Sequence, residues 1–183
     1  PDILDHDQLD ALLKATDEAS STFKKLRDRS ILLLLGYEGL KANEIMKLKW
    51  SDLLVSGKDV GSLKIIGNKS RVITLIPDVT DALINFREHM LAEHTKVYKQ
   101  NHAMFNGIVG RSGSPSEKPI SRHGIKFMLY DIGSTIEIFG SPDRRDPHTV
   151  YTETITFEDG TVVARYQALD ESGHFPTIQT HPN

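Results

Sequence analysis

The sequence predicts a mainly α-helical domain that carries a small antiparallel β-hairpin or sheet, an α+β arrangement. Apolar residues recur at helical spacing in several segments before residue 133. Two β-branched runs flank a Gly67-Asn68 turn, which is typical of a hairpin. The chain has 183 residues, of which 38% are hydrophobic and 26% charged, so it is long enough for one domain with a buried core.

Three helices are predicted in the N-terminal part of the chain. The first spans Asp5–Thr16, where Leu9, Leu12 and Leu13 share one face and Asp5 serves as a cap. The second spans Thr22–Leu35. Its apolar positions are Phe23, Leu26, Ile31, Leu34 and Leu35, and its predicted outer face is Lys24, Lys25, Arg27, Asp28 and Arg29. The third spans Lys41–Leu48, with Asn43 as its expected cap.

The middle of the chain is predicted to alternate loops, a hairpin and two further helices. A loop runs from Trp50 through Gly57, and a hairpin follows over Val60–Ile66 and Arg71–Ile76. A long helix is expected over Val79–Tyr98. Its inward side chains would be Leu83, Phe86, Met90 and Leu91. Gly, Ser and Pro then predict a loop over Ile108–Pro119, and a last helix spans Ser121–Ile132.

The last quarter of the sequence has a different character. From Thr149 the apolar and polar residues alternate with period two, and Asp159-Gly160 marks a turn, which together predict a second hairpin. Acidic residues outnumber basic ones here, unlike in the rest of the chain. We therefore divide the sequence into a domain over residues 1–140 and an atypical tail over 141–183.

Composition excludes several classes of site. The chain has no cysteine, so it has no disulfides, thiolate metal ligands or cysteine nucleophile. Its eight histidines show no tight metal spacing, and we expect neither a metal nor a cofactor. The longest purely apolar run, Ile31–Leu35, is too short to span a bilayer, so no membrane partner is expected. The net charge of −3 gives no global sign of nucleic-acid binding.

The stretch from Leu32 to Asp52, LLLLGYEGLKANEIMKLKWSD, resembles the opening of the catalytic domain of tyrosine recombinases, the phage integrases and Xer-type enzymes. That family shows here a leucine run, Thr-Gly-Leu-Arg, a Glu three residues later, and Leu-x-Trp-x-Asp. GNKSR at residues 67–71, followed by Ile76-Pro77, is similar to the family's basic hairpin. With Ala103-Met104-Phe105 and Ile120-Ser121, the resemblance extends over about residues 2–133.

The resemblance implies a specific chemistry. In this family a tyrosine attacks a DNA phosphodiester to form a phosphotyrosyl intermediate, and donors held in place stabilise the charge on the phosphate. It assigns Lys41 to the first arginine position, with Glu44 supporting it through an i,i+3 contact, and Lys69 to the hairpin general acid. Lys64 is a weaker alternative for that acid, and both lysines and Arg71 are expected to bind DNA. His148 and His174 take the two later histidine positions.

Three positions depart from the family pattern. Lys41 keeps the charge of the first arginine but lacks its planar fork. The second motif, a helical His-x-x-Arg, reads His148-Thr149-Val150-Tyr151, so a neutral phenol stands at the second arginine. The nucleophilic tyrosine should follow His174 by about nine residues, where Asn183 stands. Whether the chain cleaves DNA is therefore left open by the sequence.

The expected function is double-stranded DNA binding in site-specific recombination or integration, with a second copy or a partner recombinase on the DNA. The family implies a cytoplasmic, nucleoid-associated protein of bacterial or phage origin, and a DNA-clamping domain ahead of this span in a longer protein. A rival is a catalytically silent regulator or interaction module on the same scaffold. A third reading is an unrelated helical domain with an interaction hairpin. The tail is a diverged C-terminus, a product of truncation or frame change, or a β appendage.

Overall fold

A computed structural model of the chain describes residues 6–58, 60–135, 149–154 and 164–168. Its helices are α1 His6–Ala15, α2 Thr22–Gly36, α3 Ala42–Ile45, α4 Pro77–Glu93 and α5 Arg122–Thr135. Its strands are β1 Leu53–Ser56, β2 Val60–Ile65, β3 Arg71–Thr74, β4 Asn106–Val109, β5 Ser114–Pro119, β6 Thr149–Thr154 and β7 Ala164–Ala168. The predicted class, mainly helical with small antiparallel sheets, is confirmed. No helix in the described ranges is long and apolar enough to cross a membrane.

Helix α2 lies at the centre of the core. The Ser21 hydroxyl accepts a hydrogen bond from the Lys24 N–H at 3.1 Å, which caps the helix as serine side chains commonly do. All five residues of Ile31–Leu35 are buried, so neighbours cover this part of the helix on every side. Helices α1, α3 and α4 and strand β5 contact it. The Phe86 ring of α4 lies 5.9 Å from the Phe23 ring and stacks at 5.9 Å on Phe105.

The predicted outer face of α2 is wrong at two positions, because Arg27 and Asp28 are buried. Asp28 is fully buried and accepts bonds from Arg27 Nε at 2.8 Å, Arg27 Nη2 at 2.7 Å and Lys24 Nζ at 2.9 Å. Arg27 Nη1 donates to the Asn106 carbonyl at 3.0 Å. Buried charges are stable only when they are paired and hydrogen-bonded, and this carboxylate satisfies both conditions. Helical periodicity assigns charged residues to the solvent-exposed face. It cannot indicate that a carbonyl of β4 will bind Arg27, so the prediction put both residues on the wrong face of α2.

A three-stranded antiparallel sheet, β1-β2-β3, carries the predicted hairpin. The pairs Leu63 with Ile73 and Ile65 with Arg71 set the register of β2 on β3. The predicted loop from Trp50 through Gly57 is wrong over its second half, where β1 pairs with β2. Leu53 is buried and Leu54 is 62% exposed, which is the alternation of a half-buried strand. A run of four residues is too short for this alternation to predict a strand from the sequence.

The predicted loop over residues 108–119 is also wrong, because β4 and β5 form a second hairpin there. Gly110 and Gly113 adopt φ angles of 65° and 69°, which glycine reaches without strain, and they form the connecting turn. The Ser21 hydroxyl donates to the Gly113 carbonyl at 2.8 Å and fixes this turn to the start of α2. The Gly and Pro residues of this segment correctly predicted a turn. Because they are uncommon in strands, they also led to a loop being predicted where the two short strands lie.

The remaining helices need smaller corrections. Helix α3 covers only Ala42–Ile45, and Lys41 rather than Asn43 occupies its cap position. Helix α4 ends at Glu93, five residues before the predicted end, and Leu91 is 47% exposed instead of inward. On α5 the apolar residues Ile125, Met128 and Leu129 are buried, whereas Phe127 is 51% exposed and contacts the His123 ring.

Strands β6 and β7 bear out the period-two prediction for the tail. They pair antiparallel, with Thr149 opposite Ala168 and Tyr151 opposite Tyr166. The predicted Asp159-Gly160 turn between them lies outside the described residues, as does the predicted cap Asp5. The division of the chain at residue 140 stays a prediction.

We expect Asp28→Ala to lower the free energy of unfolding by about 3–5 kcal/mol, because it leaves the Arg27 guanidinium buried without its counter-ion. Denaturant unfolding followed by circular dichroism measures this change. Asp17→Ala is the matched control, since Asp17 pairs with Lys25 at the exposed surface at 2.9 Å. It should leave the midpoint nearly unchanged, and equal effects of the two variants would contradict the structural role of the buried pair.

Candidate active site

The first site residue, Lys41, is placed by the turn that ends α2. Gly39 adopts a φ of 65°, and the Leu40 N–H donates to the Leu34 carbonyl at 3.0 Å. These two features are typical of a glycine-terminated helix. The chain then becomes extended at Lys41, with φ −85° and ψ 151°, and this residue caps α3. Lys41 is exposed, so its ammonium faces solvent beside the start of a helix.

Glu44 connects the start of α3 to the hairpin. Its Oε2 accepts the Lys41 backbone N–H at 3.0 Å, which is one half of a capping box. The same carboxylate binds both terminal nitrogens of Arg71, Nη1 to Oε1 at 2.6 Å and Nη2 to Oε2 at 3.2 Å. The predicted i,i+3 contact of Glu44 with Lys41 is therefore made through the lysine backbone, while Arg71 takes the carboxylate as an ion pair.

The pairing shifts the titration of both groups. The hydrogen bonds from Arg71 are the main cause that lowers the pKa of Glu44 below its ordinary value of 4.5, and the Lys41 N–H and charge add to the effect. Reciprocally, the Glu44 carboxylate raises the pKa of Arg71. Bonds to the charged form of a group stabilise that form, so Glu44 is ionised at neutral pH.

The hairpin turn, residues 67–70, lies against the same carboxylate. A side-chain carbon placed on Gly67 would lie 3.8 Å from Glu44 Oε1, so the turn backbone passes close to it. Lys69 is exposed within this turn, between Gly67 and Arg71. Lys64 is also exposed and stands on β2 opposite Val72, away from the turn. The structure thus brings the segment of Lys41 and Glu44 together with the turn that carries Lys69.

The two later site residues predicted from the sequence stay predictions. His148 and His174 lie outside the described residues. Tyr151 is part of strand β6, although the family motif that resembles residues 148–151 is helical. Within the part of the chain that the structure describes, no three His, Asp or Glu side chains form a group that could hold a metal ion.

Sequence reasoning missed two contacts that shape the site. Glu38 Oε1 accepts the Ile76 N–H at 2.8 Å and thereby fixes the turn before Lys41 to the exit of the hairpin. The Arg71–Glu44 pair joins residues 27 positions apart. The acidic residues were visible in the sequence, but nothing in it showed which hairpin atoms they would bind.

The chain matches the model of the phage integrase family over residues 2–150. The chain belongs to the phage integrase family. The resemblance seen in Leu32–Asp52 and in the basic hairpin is thereby confirmed, and the reading as an unrelated helical domain is excluded.

Similar proteins of this family are tyrosine recombinases of the Xer type. The tyrosine recombinase XerD of Listeria innocua is 28% identical, over 78% of this chain and 55% of its own length. The tyrosine recombinase XerC of Staphylococcus aureus is 28% identical, over 72% of this chain and 40% of its own length. The chain thus spans about half the length of these relatives.

Solved structures support the same fold. The XerH site-specific recombinase, in a pre-cleavage complex with its difH substrate, superimposes with a TM-score of 0.56 at 17% identity, covering 80% of this chain and 39% of that one. The XerA recombinase superimposes with a TM-score of 0.56 at 20% identity, covering 75% of this chain and 44% of that one. The predicted tyrosine-recombinase type of fold is confirmed.

We expect the stability that the Glu44 carboxylate contributes to be lost in acid. Because the folded-state pKa of Glu44 is lowered, its contribution is complete above the unfolded-state value and falls as the pH drops through the folded-state value. The difference in denaturant midpoint between wild type and Glu44→Gln should therefore be constant near neutrality and shrink below about pH 4.5. Glu88→Gln, at an exposed position of α4, controls for the loss of one carboxylate. A difference unchanged down to about pH 3 would contradict the pairing.

Proposed function

We propose that this chain is the catalytic-domain portion of a site-specific DNA recombinase and that it binds double-stranded DNA at the hairpin turn. The observation that carries the proposal is that Glu44 binds the start of α3 at the Lys41 N–H and binds Arg71 at the end of the hairpin turn, while the turn passes close to the same carboxylate at Gly67. This supports a site to which Lys41 and Lys69 both contribute. Both lysines are exposed, so a phosphate can approach them without displacing a packed side chain.

The residues take distinct roles in this proposal. The Lys41 ammonium stabilises a non-bridging oxygen of the scissile phosphate, the role of the family's first arginine. Lys69, at the tip of a turn, protonates the leaving 5′ oxygen. Lys64, exposed on β2, binds the DNA backbone as a positioning contact without reading sequence. His148 and His174 remain predicted donors to the same phosphate.

The comparisons support DNA as the partner. XerH was solved on its difH DNA substrate, and its fold superimposes on 80% of this chain. We also propose a second copy of the chain or a partner recombinase on the DNA as the protein partner. As the chain spans about half of its relatives, the complete reaction is proposed for the longer protein.

A second candidate function is DNA binding without strand transfer. The observation that favours it is Lys41 itself, because an ammonium binds one phosphate oxygen where a guanidinium binds two. The placement of Tyr151 in a strand points the same way, since the backbone there differs from the helical motif that carries the second arginine. The two candidates share the DNA-binding surface and differ only in chemistry.

We expect duplex DNA binding that weakens steeply with salt, because lysine–phosphate contacts release counterions. Lys69→Ala should reduce the slope of log affinity against log salt by about 0.9, the value for one lost phosphate contact. Fluorescence anisotropy with a labelled duplex measures both quantities. Lys14→Ala, at an exposed position of α1, is the matched control and should keep the slope. An unchanged slope for Lys69→Ala would contradict the placement of DNA at the hairpin turn.

Under the first candidate function a tyrosine oxygen of this chain attacks the phosphate, and the 5′ oxygen leaves with a proton from Lys69. We then expect Lys41→Arg to raise covalent cleavage by about tenfold or more, because the guanidinium fork restores the second bond to the phosphate. A nicked suicide duplex and a denaturing gel trap and count the protein–DNA adduct. Lys47→Arg, at an exposed position just after α3, is the control. If wild type and Lys41→Arg both bind DNA and neither forms an adduct, the second candidate function is correct.

A further inference from the structure

Arg71 is the one residue of the basic hairpin whose charge is already neutralised. Its two terminal nitrogens bind the two oxygens of Glu44 end-on, at 2.6 and 3.2 Å. This is the bidentate geometry in which arginine binds a carboxylate most strongly. The same fork is what a phosphate would need, so Arg71 cannot hold Glu44 and a phosphate in this way at once.

Glu44 is the better-buried member of the pair and is fixed from a second side. Its side chain is 14% exposed, against 42% for Arg71. It also accepts the Lys41 N–H at the start of α3, so the carboxylate cannot follow Arg71 toward DNA without uncapping that helix. The pair therefore carries little net charge that could attract DNA, and its position relative to α3 is fixed.

The Arg71–Glu44 pair lies at the end of the hairpin turn that carries Lys69. Arg71 is the first residue of β3 and immediately follows the hairpin turn, and Gly67 at the other end of the turn lies against Glu44. One end of the turn is thus bonded to the Glu44 carboxylate through Arg71, and the other end passes close to it at Gly67. Because Glu44 also binds the Lys41 N–H, the turn that carries Lys69 lies beside the segment that carries Lys41.

We propose that Arg71 is a positioning residue, which pairs with Glu44 to orient the turn of Lys69 toward Lys41, and not a phosphate contact. The reason for orienting Lys69 toward Lys41, which is to bind a phosphate, rests on the proposed function. The pairing of Arg71 with Glu44 and its effect on the turn do not require DNA. It also revises the expectation that the arginine of the basic hairpin binds DNA, which its position in the sequence favoured.

Backbone ¹⁵N relaxation of the wild-type chain and four variants tests the orienting role. We expect order parameters near 0.8 at residues 68–70 in wild type and a fall to about 0.6 or below in Arg71→Gln and in Glu44→Gln. Arg71→Lys should fall similarly, because one ammonium cannot bind both oxygens in this geometry. Lys69→Ala, within the same turn, is the control and should leave the values unchanged. Unchanged order parameters in Arg71→Gln and Glu44→Gln would overturn the proposal.

Salt-dependent DNA binding separates the pair from a phosphate contact. The double variant Glu44→Gln/Arg71→Gln replaces the ion pair by neutral groups of similar size, so it removes no net charge. It is measured in a Lys69→Ala background, where the phosphate contact of Lys69 is already absent, so that a change in the orientation of the turn cannot alter the count of contacts. We expect the triple variant to keep the Lys69→Ala slope of log affinity against log salt. A further loss of about 0.9 would show that Arg71 leaves Glu44 and binds phosphate, and would overturn the proposal.

The two experiments fail independently. If the wild-type chain does not bind DNA, the proposed function fails, and the relaxation data still decide whether the pair holds the turn. If the chain binds DNA and the turn keeps its order without the pair, the proposed function stands and the role of Arg71 is wrong.

Discussion

The complete burial of one helical segment is the constraint on which the rest of this structure depends. Ile31–Leu35 of α2 are buried without a solvent-facing gap, so other elements must cover the helix from every direction. Helices α1, α3 and α4 and strand β5 do so. The same constraint brings Arg27 and Asp28 into the interior, where the Asn106 carbonyl and Lys24 complete their bonds. The buried Arg27 and Asp28 are compatible with this core because each charge has a partner of opposite sign at 2.7 Å.

The candidate site depends on the end of this helix. The Gly39 turn that terminates α2 leads directly to Lys41, and Glu38 in the same turn binds the Ile76 N–H where the hairpin exits. One side of the site is therefore fixed by the core. The other side, the hairpin, is joined to it through Glu44, which binds α3 and Arg71 together. Two carboxylates thus join the hairpin to the end of α2 and the start of α3, and Lys41 lies between them in the sequence.

This chain belongs to the phage integrase family, and it departs from the family's sequence pattern at a few positions. The features that show the membership and the positions that depart lie in different parts of the chain. The chain keeps the fold of the family at low identity, since buried apolar positions tolerate many sequences that keep their pattern. The departures fall on Lys41 and on the tail. The proposed strand transfer would depend on these positions.

The sequence by itself determined the class of fold, the main helices, the first hairpin, the β character of the tail and the family, because these follow from local periodicity and from a motif of adjacent residues. It also named Lys41, Glu44 and Lys69 as a group. Only the tertiary structure decided that Arg27 and Asp28 are buried, that β1, β4 and β5 are strands, and that Arg71 pairs with Glu44. Each of these depends on a partner far away in the sequence, and no local pattern specifies which distant atom will satisfy a charge or a backbone hydrogen bond.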